Sequence, residues 1–228
     1  SQYHYEVSSI PFELFQNADD AAVELGQIQA FPASSCKIPL GARRIVIELD
    51  RNAIRFLHWG RPINARGPEG FDGEGRGFGR DLEKMLVLSY SDKPFAEGVT
   101  GKFGLGFKSV LLACDRPRIL SGNLALEIRA GILPERLDED VAATLRQSLS
   151  QHTAPGQRLL GTLIDLPDLA PMAQDRMLER FRPLAGLVCV FAHAVHEISL
   201  GGDTIAWEPK IIAPGIEFGR LQVKVDSG

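Results

Sequence analysis

Leu14, Ala18, Ala21, Ala22 and Leu25 fall on one side of a helical wheel, while Glu13, Asn17, Asp20 and Glu24 share a narrow polar sector on another. This spacing predicts an amphipathic helix to about Leu25, with Ser9 as its N-cap, Pro11 in its first turn and Gly26 as its stop. A loop rich in Pro, Ser and Gly is expected over 27–42. After it, RRIVIEL (43–49) and AIRFLHW (53–59) read as two strands of a hairpin joined by a tight polar turn at Asp50, Arg51 and Asn52. Between Gly60 and Gly101, glycines at 67, 70, 73, 75, 77 and 79 predict a mobile lid, about 61–100, with a short helix near Leu82 to Ser89. Glycines at 101, 104 and 106 then lead into an apolar helix that runs to about Cys114. Beyond it, strands are expected near 118–121, 124–130 and 160–166, with a helix near 135–150 between them. A helical region over 169–194, broken at Pro183, and strands near 196–200, 204–208 and 218–225 complete the pattern. The mixture predicts an α+β fold: a two-layer sandwich with helices packed on one face of a mixed, largely antiparallel sheet.

Composition narrows the class. At 228 residues the chain fits a single domain over 1–228, and at 44% hydrophobic and 24% charged residues it has the makings of a full core. No apolar run approaches the roughly 18 residues of a membrane span, and the N-terminus has no signal-peptide pattern, so no membrane partner is expected. A net charge of −4 gives no electrostatic reason to expect nucleic acid. Cys36, Cys114 and Cys189 are too scattered for a zinc motif and odd in number for a closed disulfide set, which fits a reducing, cytoplasmic compartment. The abrupt opening SQYHYEV and the closing strand pattern FGRLQVKVDSG suggest a fragment of a larger protein with further domains.

Two constellations carry chemistry. On the first helix, a carboxylate at Glu13 and an amide at Asn17 lie one turn apart; spacing alone favours reading this stripe as a solvated helix face. At 101–109, GKFGLGFKS sets glycines immediately before a helix, a placement that lets backbone N–H groups approach an anion but that also suits a purely structural turn. It is not a P-loop, because G-x-x-x-x-G-K-[ST] does not occur, and no strand precedes the glycines as a dinucleotide fold requires. His193 and His196, three apart, read as surface or core histidines.

The literal strings go further. ELFQNADDA (13–21) resembles the N-box of the GHKL, or Bergerat-fold, ATPases, E-x-x-x-N-A-x-D-A, at every signature position. GKFGLGFKS resembles the second glycine box of the same superfamily and follows in the right order. The branch with the ATPase repeats of sacsin is the nearest in character. The resemblance implies the Bergerat fold, ATP and Mg²⁺ as ligands, Glu13 as general base toward a water attacking the γ-phosphate, and Asn17 as magnesium ligand. Asp20 is carried over as a pocket residue. Gly101, Lys102, Phe103, Gly104, Leu105, Gly106 and Phe107 would contact the phosphates, with Lys102 preferred over Lys108 as the cation. GTLIDLP (161–167) resembles the strand that closes the adenine pocket, with Thr162 as its hydroxyl. The first glycine box, D-x-G-x-G in the superfamily, departs here to HWGRP (58–62): Gly60 remains, but His58 stands at the aspartate that accepts from the adenine amino group. A neutral His58, a backbone carbonyl or a water could take over that acceptance.

The resemblance thus implies Mg-dependent ATP binding and slow hydrolysis, with lid closure and a nucleotide-dependent homodimer as outputs, as in the ninety-kilodalton heat-shock chaperones and gyrase subunits. A non-hydrolysing nucleotide-sensing or protein-interaction module is the alternative that the altered first box favours. A histidine-kinase catalytic domain shares the fold, but no phosphoacceptor helix is visible.

Overall fold

The alternation in the first hairpin builds the centre of the molecule. In β1 (Arg44–Asp50), Ile45 and Ile47 are buried on one face and Val46 on the other; in β2 (Ala53–His58), Ile54 and Phe56 join the first face and Leu57 the second. The two strands pair antiparallel from Ile45 opposite His58 to Asp50 opposite Ala53. These elements belong to a computed structural model that describes residues 6–29, 40–65, 78–86, 105–153, 160–213 and 216–226.

Seven further strands are present among the described residues: β3 (Arg118–Ser121), β4 (Leu124–Arg129), β5 (Leu133–Arg136), β6 (Thr162–Leu166), β7 (Glu197–Leu200), β8 (Asp203–Ala213) and β9 (Ile216–Lys224). They form one sheet in the order β5-β4-β3-β6-β2-β1-β7-β8-β9. Only the β1–β7 pair is parallel, so the sheet is mixed and largely antiparallel, as expected.

The helices are α1 (Ile10–Gln29), α2 (Asp81–Leu86), α3 (Leu105–Lys108), α4 (Glu139–Gln151) and α5 (Ala173–Phe191). α1 lays Ile10, Leu14, Phe15, Ala18, Ala22 and Leu25 into the main core, and α5 adds Met177, Leu178, Phe181, Ala185 and Cys189. Phe12 meets Phe181 edge-on, with ring centroids 5.1 Å apart. The expectation of helices on one face alone needs correction. Val46, Leu57, Trp59, Leu120 and Leu163 form a second core on the opposite face, closed by Leu137 and by Ala142 and Leu145 of α4. The central strands are therefore covered on both sides, and Trp59 packs away from α1, its indole N–H donating to Thr153 Oγ1 at 3.0 Å. No helix among the described residues is long and apolar enough to cross a membrane.

Four local expectations also change. α1 continues through a buried Gly26 to Gln29; a helix-interior glycine costs only about 1 kcal/mol, which the neighbouring buried Leu25 offsets. Ser9 does not cap that helix; it closes a 3-10 turn at Val7–Ser9 and its hydroxyl donates to the Glu6 carbonyl at 2.7 Å. α5 passes unbroken through Pro183, which lies on the exposed side, where water can satisfy the carbonyl left without an N–H partner. The helix expected near 135–150 begins only at Glu139, and β5 precedes it: LPER is a short, exposed edge strand without alternation, and an edge tolerates Pro134.

On the α4 face, outside the apolar patch, the register lines up one charged residue per strand. Glu48 lies opposite Arg55, Arg55 opposite Asp165, Asp165 opposite Arg118 and Arg118 opposite Glu127. The alternating signs let each guanidinium bridge two carboxylates, with Asp165 reached at 3.2 Å by Arg55 and at 3.3 Å by Arg118.

Candidate functional site

Burying the apolar stripe of α1 against the sheet leaves Glu13 and Asn17 half-buried along its flank, one turn apart. The sheet supplies the facing wall. β2 ends in His58, which the register sets opposite Thr162 at the start of β6, and Thr162 lies opposite Ser121 of β3. All three share strand parity with core residues Phe56, Ile164 and Ile119, so they face the α1 layer. Asn17, His58, Phe107 and Thr162, drawn from four separate stretches of sequence, line one cavity together with Arg61, Asp81 and Met85. Glu13 lies one turn from that wall, and Asp20 does not line it.

Each wall residue has a definite setting. Ser121 Oγ accepts the Ile63 N–H at 2.8 Å and shares a hydrogen bond with Thr162 Oγ1 at 2.7 Å, which joins β3, β6 and the segment after β2. His58 is buried, and its Nδ1 accepts the N–H of Gly60 at 3.3 Å. Burial, reinforced by the nearby Arg61 guanidinium, pushes the imidazole down to about 4, so it is neutral at pH 7. A neutral ring whose Nδ1 lone pair is engaged carries its proton on Nε2. The expected acceptance of an amino group by His58 is therefore not what this geometry offers.

Gly60 has a packing reason to be glycine. A Cβ there would lie 2.6 Å from the Ala21 carbonyl carbon and 2.7 Å from the Ala22 nitrogen, so only glycine lets the end of β2 seat on α1. The next residue locks that contact: the Arg61 N–H donates to the Ala21 carbonyl at 2.9 Å. Its guanidinium, 2% exposed, reaches Glu24 of α1 at 2.6 Å and Asp81 of α2 at 2.5 Å, and lies 4.0 Å from the centre of the Phe78 ring. Asp81 also accepts the Asn64 N–H at 2.9 Å, while Asn64 Oδ1 accepts the N–H of Leu82. One buried cation thus ties α1, the β2 exit and α2 around the cavity.

Glu24, Arg61, Asn64, Asp81 and Ser121 escaped sequence reasoning. Their partners lie 17 to 58 residues away, beyond any local pattern. Asp19 escaped it too. Its carboxylate accepts the N–H groups of His193, Ala194 and Val195 at 2.9, 2.7 and 2.8 Å, anchoring α1 to the turn before β7. Of the adjacent pair, then, Asp19 is structural and Asp20 stays half-buried on the flank. Asp19→Ala is expected to lower the unfolding free energy by about 2–3 kcal/mol, because three amides lose their acceptor. Urea titration checks this, and a loss below about 0.5 kcal/mol, the ordinary range of a surface change, contradicts the anchoring role.

Burial raises the Glu13 carboxyl above the ordinary glutamate range, the direction a general base working near neutral pH requires. Gly101, Lys102, Phe103 and Gly104 lie outside the described residues. Leu105 and Gly106 open α3, Phe107 is buried in the cavity wall, and Lys108 is half-buried, which lowers its ammonium pKa. Of the stretch 61–100 expected to form a lid, only 61–65 and 78–86, including α2, lie within the described residues.

Other chemistries have less support. Burial pushes the Cys114 thiol up to about 11 and Cys189 up to about 12, so neither is a ready nucleophile. His193 is exposed, and His196 Nδ1 sits 3.2 Å from the Cys189 carbonyl. No group of three or more His, Cys, Asp or Glu among the described residues is placed to hold a metal. No protein-family model matches the chain, and no curated protein matches it either.

Proposed function

We propose that this chain binds Mg-ATP in the α1–sheet cavity and hydrolyses it slowly, as a Bergerat-type switch domain within a larger protein. The observation that carries the proposal is the convergence of Asn17, His58, Phe107 and Thr162 on one cavity. Asn17, Phe107 and Thr162 lie in strings that resemble GHKL motifs, and His58 stands at the altered first glycine box; the β2–β6 register and the seating of the β2 exit on α1 bring them together.

The donor set fits magnesium. Mg²⁺ keeps several waters and takes few protein ligands beside the substrate phosphates, so the single amide oxygen of Asn17 suffices and a carboxylate cluster is not needed. Bound there by Asn17, the ion would supply charge neutralisation for the phosphates. Asn17 orients that charge from the helix flank. Glu13, one turn nearer the N-terminus of α1, accepts the proton of the attacking water, and its raised pKa strengthens it as a base. Phe107 and Met85 give the cavity apolar walls that exclude bulk water. ATP-driven lid closure and homodimerisation are the proposed outputs.

Phosphate release from Mg-ATP tests the enzymatic half of the proposal. Turnover is expected well below the kinase range of about 1–100 per second, and abolished by EDTA. Turnover within that range contradicts a slow switch, and no release at all contradicts hydrolysis while leaving binding to be measured separately.

A further inference from the structure

The orientation of His58 decides what kind of base edge this cavity can read. Its ring has two nitrogens and, when neutral, one donor and one acceptor. The acceptor is already used: Nδ1 takes the Gly60 N–H within the same strand end, where Gly60 is itself fixed by its contact with Ala21 and Ala22. Nε2 makes no hydrogen bond among the described residues, and the ring lines the cavity. The cavity's one carboxylate among the described lining residues, Asp81, is occupied by Arg61 Nη1 at 2.5 Å, Arg61 Nη2 at 3.4 Å and the Asn64 N–H at 2.9 Å.

We infer that His58 meets the nucleobase as a hydrogen-bond donor through Nε2–H, so that the cavity selects an acceptor, a ring nitrogen or a keto oxygen, and does not require the amino group of adenine. This rests on the nucleotide-pocket reading and deepens it. An aspartate at this position accepts only, and so favours an amino group and rejects a keto oxygen at the same place. A protonated Nε2 reverses that preference: it is repelled by an amino N–H and satisfied by a keto oxygen or an unprotonated ring nitrogen. The neutral state needed for this arrangement persists through physiological pH, because burial and Arg61 both disfavour the imidazolium. Thr162, held against Ser121, is a hydroxyl that donates or accepts and so adds no preference of its own.

The test uses the full chain with Mg²⁺ and three diphosphates that it does not hydrolyse: ADP, IDP, and purine riboside diphosphate, which has no group at C6. Calorimetry is expected to give IDP and purine riboside diphosphate dissociation constants within about threefold of ADP or tighter, since the amino group is not a contact. His58→Asp is expected to convert this to a preference for ADP over IDP of about tenfold or more, a shift of about 1.4 kcal/mol. Wild-type preference for ADP over both analogues by about tenfold or more overturns the inference while leaving the nucleotide pocket standing. If none of the three binds a folded chain, the pocket reading itself falls and takes the inference with it. Nitrogen-15 NMR of His58 gives a reading that needs no variant: a proton on Nε2 and a lone pair on Nδ1 from pH 5 to 8 is expected, and the opposite tautomer overturns the assignment.

Discussion

Glu13→Gln is expected to lower Mg-ATP turnover by about 10²–10⁴-fold, with nucleotide affinity changed by no more than about threefold. The amide keeps the shape and polarity of the side chain but cannot take the water's proton. Stability moves the other way. The folded-state pKa lies above the ordinary value because burial disfavours the charge. Such a carboxyl supports the fold under acid conditions, where it is protonated, and that contribution is lost as pH rises through the folded value. At pH 7 the glutamine variant is therefore expected to melt at the same temperature as wild type or higher, with the gain vanishing on acidification. Wild-type turnover is expected to fall, as pH drops, from a higher pH than an unperturbed glutamate would give. Turnover of the variant within about threefold of wild type would place the base elsewhere.

Arg61→Met is expected to cost about 3–5 kcal/mol of stability, because it strands two carboxylates in a buried site. Glu24 and Asp81 are 14% and 3% exposed at the side chain, so water cannot replace the guanidinium. The control is Arg80→Met. Arg80 pairs with Glu83 at the same 2.5 Å, but the two side chains are 73% and 50% exposed, where water and salt screen the pair, and its loss is expected to leave the denaturation midpoint essentially unchanged. Chemical denaturation of the two variants separates burial from mere proximity. The same substitution loosens the junction of α1, the β2 exit and α2, so nucleotide binding is expected to weaken even where the chain remains folded. Similar costs for the two variants would show that Arg61 is not the buried clamp.

The parts of this molecule legible in the sequence were those with a local pattern. The α1 stripe and the strands β4 and β7 bury one side at a repeat of three to four or of two residues, while β1, β2, β3 and β6 stand out as short apolar runs between polar or glycine-containing turns. A run buried on both sides does not say what covers each face. Val46, Leu57 and Leu163 give no hint that α4 covers a second face, since an inward residue for that face is also an outward residue for the first. The exposed β5 lacked alternation altogether. Asn17, His58, Phe107 and Thr162 were legible as motif positions, and the sheet register brings His58 and Thr162 into direct opposition. Arg61 and Asp19 were not legible, because an ion pair across 37 residues and a carboxylate caught by amides 174 to 176 residues away leave no local trace. His58 shows a finer limit: its identity was visible, but which nitrogen carries the proton depends on Gly60 being held in place by α1.

The most direct test is calorimetric titration of a Mg-bound, non-hydrolysable ATP analogue into the wild type and into Asn17→Ala. The account predicts saturable one-site binding that is weakened by about tenfold or more when the amide ligand is removed and when magnesium is withheld. Absence of binding by a wild type shown to be folded, or binding that neither Asn17→Ala nor magnesium removal affects, would contradict it.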